Sequence, residues 1–283
     1  MKKQKIGFIG QGWIGKNYAD NFENRGYQVT RYAKEPEYTG NKNKIKNCDI
    51  VFVAVPTPTC ENKFDVSILE QALSVVGEGK IAVIKSTVVP GTTEKLQKKY
   101  PKKIILHSPE FLTEATAHYD ADHPKRNIIG YVNEKGRIAA NKVMKILPEA
   151  PYKSVIPVKT AELIKYAGNC WFYLKVIYIN LIYDLAKKMD IDYETVKEAI
   201  SYDSRIGFTH LDPIHKTGRG AGGNCFIKDF AAFSQMYKKL NPKDKKGNDF
   251  LEKAQEKNIE LLLQSKKDLE LLKGVYGKDI VKE

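Results

Sequence analysis

Two rhythms of apolar residues divide this 283-residue chain. In the first half, short apolar runs at 5–9, 27–32, 49–55, 80–85, 104–107 and 127–131 read as strands. Between them lie stretches of helical spacing: about 14–25, a helix that Asp65 caps and that ends near Val76, and one that follows Thr93. Such alternation predicts a doubly wound parallel sheet, with 127–131 its last strand. From about residue 158 the spacing is helical throughout. The longest periodic segment, 160–189, would span about 45 Å as one helix. Its apolar and aromatic positions run round most of the helix, so it is expected to be buried, partly against a second copy of the chain in a homodimer. Helices at 191–202, 226–239 and 249–273 follow, with an irregular loop over 203–224 and a basic tail. The boundary is expected between Pro151 and Pro157, giving a first domain over 1–155 and an all-helical domain with one long central helix over 156–283.

The first strand runs directly into Gly10-Gln11-Gly12-Trp13-Ile14-Gly15, a GxGxxG turn between strand and helix. The first glycine serves the tight turn, the second leaves room for a pyrophosphate, and the third lets helix and strand pack closely. The helix N-terminus then faces the phosphates. A Rossmann-type dinucleotide-binding domain follows, with Gly10, Gly12, Trp13, Ile14 and Gly15 at the cofactor. The second strand should end in an acidic residue for the ribose hydroxyls, but the chain reads Arg31-Tyr32-Ala33-Lys34-Glu35. Either Glu35 takes that role, or Arg31 and Lys34 receive the 2′-phosphate of NADP. NAD and NADP both stay open on this reading.

Composition narrows the class further. A hydrophobic share of 42% and a charged share of 29% belong to a globular protein. Forty-seven basic against 34 acidic residues give +13, which suits a lysine-rich solvated surface or attraction of an anion such as a nucleotide-sugar. No arginine-rich run points to nucleic acid, and no ligand spacing points to a metal. Cys48, Cys60, Cys170 and Cys225 stand singly, as in a reducing compartment. The basic Met1-Lys2-Lys3 leads into too short an apolar run for a signal peptide. The apolar stretch 170–186 is interrupted by Lys175, Asn180 and Asp184, so no membrane span is expected. These features together predict a cytoplasmic protein.

Candidate chemistry concentrates at Gly218-Arg219-Gly220-Ala221-Gly222-Gly223-Asn224-Cys225-Phe226-Ile227-Lys228-Asp229. Glycines at this density fill no core and lose much freedom on ordering, so the backbone must pass close to something or take positive φ. They deliver Cys225 to the start of a helix, where the dipole and Lys228 favour the thiolate over the thiol. A buried structural cysteine behind a flexible loop is the plain alternative. On the long helix, Lys165 and Asn169 project from one face, a pair able to stabilise an oxyanion or simply a surface lysine with a polar neighbour. The polar segments 57–59, 86–87 and 110–114 all fall at expected strand ends, where open α/β sheets bind ligands.

Gly-Ala-Gly-Gly-Asn-Cys-Phe-Ile-Lys-Asp resembles the Gly-Phe-Gly-Gly-Ser-Cys-Phe-Pro-Lys-Asp signature of the UDP-glucose/GDP-mannose dehydrogenase family. Four further stretches are similar to that family's motifs, in its order: Ser86 to Thr93, Ser108 to Glu114, Ala161 to Asn169 and Asp203-Ser204-Arg205-Ile206-Gly207. The resemblance implies NAD(P)-dependent oxidation of a nucleotide-sugar, UDP-glucose to UDP-glucuronate, by two hydride transfers. It implies Cys225 as the nucleophile that forms a thiohemiacetal and then a thioester, and Lys165 and Asn169 as oxyanion partners. Glu114 would serve in acid/base work, with Thr87 and Asp229 holding the hydrolytic water. Thr57, Pro58, Thr59, Ser86, Thr87 and Lys228 would line the nicotinamide side. Arg205, Lys216 and Gly220 would contact substrate together with Glu114, Lys165 and Asn169, Arg205 reaching a neighbouring subunit. The chain departs from the pattern at Ala33, Asn224 and Ile227, and the family's third, UDP-binding domain has no counterpart in it. A single-step sugar-acid or hydroxyacid dehydrogenase and a catalytically silent binding homologue are the competing readings.

Overall fold

Runs of β-branched and aromatic residues too short for helices become strands when both their faces can be buried. The computed structural model describes residues 4–60 and 63–281. Met1-Lys2-Lys3 and the last two residues of the expected basic tail lie outside the described residues. The chain divides into two compact units, Met1–Thr57 with Asp65–Lys165, and Pro58–Phe64 with Tyr166–Glu283.

The first unit opens with β1 (Ile6–Ile9), α1 (Trp13–Asn24), β2 (Val29–Tyr32), α2 (Pro36–Thr39), α3 (Lys42–Ile45) and β3 (Ile50–Val53). A small antiparallel hairpin of the second unit interrupts it, β4 (Thr59–Cys60) with β5 (Lys63–Phe64). The first unit resumes with α4 (Ser67–Val75), β6 (Ile81–Ile84), α5 (Thr92–Lys99), β7 (Ile104–His107), α6 (Ala117–Asp122), β8 (Arg126–Tyr131), α7 (Glu134–Met144) and β9 (Tyr152–Pro157). The sheet order is β2-β1-β3-β6-β7-β8-β9. Central β1 and β3 are buried along their whole length. Phe8 stacks on Phe52 at 5.0 Å between centroids, and Phe22 of α1 meets Phe8 edge-on at 5.7 Å. Such aromatic contacts add to the burial energy and fix α1 over the sheet.

Two details correct the sequence-based expectation. The sheet is parallel through β7, but β8 pairs antiparallel to β7, so the last two strands run the other way. A seventh strand, β9, occupies the stretch expected to be a boundary. It is an edge strand, half-exposed and ending in Pro157, which an edge tolerates because no neighbour needs its N–H. Its weak apolar pattern therefore hid it.

The remaining elements are α8 (Val158–Lys188), α9 (Tyr193–Ser201), the short strands β10 (Ile214–His215) and β11 (Gly218–Arg219), α10 (Gly223–Leu240), α11 (Lys245–Gln264) and α12 (Leu269–Tyr276). The long helix appears as expected, and the units part at Lys165 and Tyr166, within it. Its first turn packs on β8 at Gly130, where a Cβ would stand 2.8 Å from both Ala161 Cβ and Val158 Cα. In the second unit Tyr173 stacks on Phe230 at 3.9 Å, and Ile227 and Ala231 pack against Leu262, Leu272 and Val275. The helix expected over 249–273 is two helices, broken where Lys266 and Asp268 take φ of 54° and 55°. The loop expected over 203–224 contains the β10–β11 hairpin. No helix among the described residues is long and apolar enough to cross a membrane.

Candidate active site

The glycines of the first turn have separate jobs. Gly10 has φ +90°, and a Cβ there would stand 2.2 Å from the Ala54 carbonyl oxygen. A Cβ on Gly15 would stand 1.9 Å from the Gly10 carbonyl oxygen. Both are fixed by backbone collision. Gly12, which caps α1, has nothing within 4 Å of its Cβ direction. That open side, beside the first N–H groups of α1, suits a pyrophosphate. The sheet order reverses at β1, which has β2 on one side and β3 on the other, and this is where open α/β sheets bind dinucleotides. Ile14 packs into the core below, while Trp13 is exposed.

Segments after β3 and β6 are laced together. Thr57 Oγ1 donates to Thr87 O at 2.7 Å, Ser86 Oγ donates to Val55 O at 2.6 Å, and Val55 N donates back to Ser86 Oγ at 3.1 Å. These hydroxyls order the strand ends. Pro58 and Thr59 fall in the second unit, Pro58 just before its hairpin and Thr59 within it, buried and paired with Phe64.

Lys165 meets a carboxylate, but it is Glu110. Lys165 Nζ lies 2.9 Å from Glu110 Oε1, both side chains buried, and Leu112 N donates to Glu110 Oε2 at 2.8 Å. Losing either partner would strand a buried charge. Glu114, four residues on, is exposed. A second ammonium lies nearby in chemistry if not in sequence: Lys85 Nζ is 3.3 Å from Ser108 Oγ and 4.3 Å from the centroid of Tyr18. Burial brings its pKa down to about 7, Glu110 opposing and Lys165 adding to the shift. His107 is fully buried, its ring nitrogens have no hydrogen-bond partner among the described residues, and burial, then Lys85 and Lys165, push its pKa down to about 3. It is therefore neutral. Glu162 caps α5 from α8, accepting from Gly91 N at 2.6 Å and Thr93 N at 2.8 Å.

In the second unit the glycine-rich loop is held from outside itself. Asn258 brackets Ala221, accepting from its N–H at 2.7 Å and donating to its carbonyl at 3.0 Å. Lys267 Nζ reaches Gly220 O at 3.0 Å, and Gly223 N donates to Asp268 Oδ2 at 2.7 Å. Gly220 has φ +87°, and a Cβ on Gly222 would sit 2.1 Å from Asp268 Oδ2. The break between α11 and α12 exists to bring these side chains to the loop. Cys225 is exposed in the first turn of α10, whereas burial, then Asp229, push the Cys170 thiol well up. Asp229, one turn beyond Cys225 and buried, accepts from Asn169 Nδ2 at 2.6 Å and pairs with Lys228 Nζ at 2.5 Å. Arg205 is exposed and forks onto Asp203 with bonds of 2.9 and 2.6 Å. Lys216 turns the β10–β11 hairpin in a left-handed conformation, φ 56°.

Sequence reading passed over Glu110 and Lys85. Glu110 stands just past the end of β7, and Lys85 is a charge closing an apolar run; both positions were signals of a site beneath the strand ends. Among the described residues no group of His, Cys, Asp and Glu is placed to hold a metal.

A glycine turn at the switch point of such a sheet, with a helix N-terminus beside its open glycine, defines an NAD-binding dehydrogenase domain. The chain belongs to the UDP-glucose/GDP-mannose dehydrogenase family, matching the family's NAD binding domain over residues 31–148 and its central domain over 159–260. It is 30% identical to the UDP-glucose 6-dehydrogenase of Rickettsia felis over 204 residues, 69% of this chain and 45% of that protein. It is 32% identical to UDP-glucose 6-dehydrogenase TuaD of Bacillus subtilis over 208 residues, 69% of this chain and 43% of that one. The UDP-glucose dehydrogenase structure from Pyrobaculum islandicum superposes with a TM-score of 0.77 at 27% identity, covering 92% of this chain and 70% of that one. The chain thus spans about half the length of the curated relatives it matches.

Proposed function

We propose that the chain oxidises a nucleotide-sugar alcohol to the acid, UDP-glucose to UDP-glucuronate, in two oxidations with Cys225 as nucleophile. The observation that carries this reading is an exposed cysteine in the first turn of α10, one turn before a buried aspartate held by Asn169 and Lys228. NAD, when bound, is the acceptor for both hydrides. Cys225 Sγ adds to the carbon of the intermediate aldehyde, and its oxidised adduct is a thioester whose C–S bond water cleaves, returning the thiolate. Lys165 and Asn169 stabilise negative charge on oxygen, Lys165 held in place by its ion pair with Glu110. Glu114 takes the acid/base role, and Thr87 and Asp229 hold the water. Thr57, Pro58, Thr59, Ser86 and Lys228 line the nicotinamide side, and Arg205, Lys216 and Gly220 contact substrate.

The working unit in this reading is a homodimer. Trp171, Tyr178, Leu181, Leu185 and Met189 are exposed at helical spacing on and just beyond α8, an apolar stripe that a second copy would cover. Cofactor reduction with UDP-glucose tests the function. Two NADH per acid formed, with turnover abolished in Cys225→Ser, is the expected result. One NADH per product, or a Cys225→Ser chain that still turns over, would overturn the thioester route.

A further inference from the structure

An arginine near the end of β2 ordinarily suggests a receiver for the 2′-phosphate of NADP. Here four of its five N–H donors are already engaged. Arg31 Nη2 lies 2.6 Å from Asp20 Oδ1 and 2.7 Å from Glu23 Oε2, and Nε lies 3.0 Å from Glu23 Oε1. Nη1 donates to Gln11 Oε1 at 3.1 Å, and Gln11 Nε2 in turn donates to Gly10 O at 3.0 Å. Asn41 Nδ2 holds the Arg31 carbonyl at 3.0 Å. The Arg31 side chain is only 13% exposed. Burial works against its charge, yet the hydrogen bonds of Glu23 and Asp20 prevail and hold its pKa above the ordinary arginine value. Two carboxylates against one guanidinium leave the group with negative charge in excess. Ala33, where the ribose-binding carboxylate is expected, offers no polar side chain.

We propose that this Asp20–Arg31–Glu23 clamp selects NAD over NADP, in place of the acidic residue absent at position 33. Through Gln11 it reaches the glycine turn itself, beyond the end of β2 where the adenosine ribose lies in sheets of this kind. A 2′-phosphate would bring a further charge of about −2 to an already negative group. It would also find the fork that suits it occupied, and could engage it only by displacing Glu23 or Asp20. A ribose diol meets neither penalty. Lys34 is exposed on the following loop, where a lone ammonium is strongly screened. Glu35 starts α2 through its backbone, its carbonyl accepting from Tyr38 N at 2.9 Å, and its side chain makes no capping bond. The clamp bears on the cofactor alone, whatever the substrate.

Calorimetric titration of the whole chain with NAD and with NADP tests it. The wild type should prefer NAD by about tenfold or more. Asp20→Asn with Glu23→Gln keeps the shapes and removes both charges, so the preference should shrink by about tenfold through tighter NADP binding. Arg31→Met removes only the cation, and should weaken NADP binding further. If the double variant does not fold, Glu23→Gln alone should shift the ratio the same way by a smaller factor. Equal affinities in the wild type would overturn the proposal, as would an unchanged ratio in a double variant that melts like the wild type, or NADP gained by Arg31→Met. Heat from neither dinucleotide would overturn it together with the dinucleotide site, a result distinct from an unaltered ratio.

Discussion

The chain uses glycine-rich turns twice, and for opposite reasons. In the first turn, Gly10 and Gly15 are required by backbone, that of Ala54 just past β3 for Gly10 and that of Gly10 for Gly15, which leaves no space for a side chain at either. In the second, Gly218, Gly220 and Gly222 face distant residues, among them Ser265, Lys267 and Asp268, and Asn258 brackets the loop, while Gly223 answers to its own φ of +78°. The first turn is therefore built from its own strand–turn–helix unit and the end of the adjoining strand. The second is a tertiary one, ordered only when α11 and α12 are in place. A loop that presents a reactive side chain gains from the second arrangement, because each side chain that holds it also limits its freedom.

Substitution at each turn should separate these two kinds of glycine. The largest effect belongs to Gly15→Ala, where the clash is with backbone that cannot yield. It should cost about 3 kcal/mol or more, read as a fall in the denaturation midpoint. A variant as stable as wild type would show that the turn can relax, and would erase the contrast. Asn258→Ala should come next, at about 2–3 kcal/mol, because it strands a buried N–H and carbonyl of Ala221 while leaving every glycine in place. If the second turn were as self-sufficient as the first, this change would cost only the volume of the side chain. Gly12→Ala should disturb stability least, under about 1 kcal/mol, since its Cβ points into open space and its φ of −64° suits any residue. Yet NAD affinity should drop by about tenfold or more if that space belongs to the pyrophosphate. Unchanged affinity would mean the cofactor does not approach there.

This difference also governs what could be read from the sequence. Gly10 to Gly15 was legible because every partner lies within the strand–turn–helix unit or the next strand. The helix carrying Cys225 was legible for the same reason, as were six of the seven sheet strands and the common direction of five of them. Glu110 and Lys165 lie 55 residues apart, so their pairing follows from the fold and from no local pattern. Glu114 stands in the same short segment with its acid/base role implied by the resemblance, and spacing alone cannot say that Glu110 turns inward to Lys165. The break at 265–268 was hidden because helical periodicity continues across it; the left-handed Lys266 and Asp268 mark it, and its Ser265 and Asp268 bond a loop about 45 residues earlier. Arg31 stayed open as one possible phosphate receiver because Asp20 and Glu23 belong to a different element and meet it only across α1 and β2.

The two buried bases of the first unit make unfolding a proton-consuming event. Lys85 in the folded chain releases its proton near pH 7, against 10.5 for an ordinary lysine, so between those values the unfolded chain holds a proton that the native one lacks. His107 does the same between about 3 and 6.5. Both terms have one sign: this contribution to stability grows as pH rises through each window and is lost as pH falls. The native chain thus works as a weak acid relative to its own unfolded form, and the buffer around it supplies the difference each time a molecule opens.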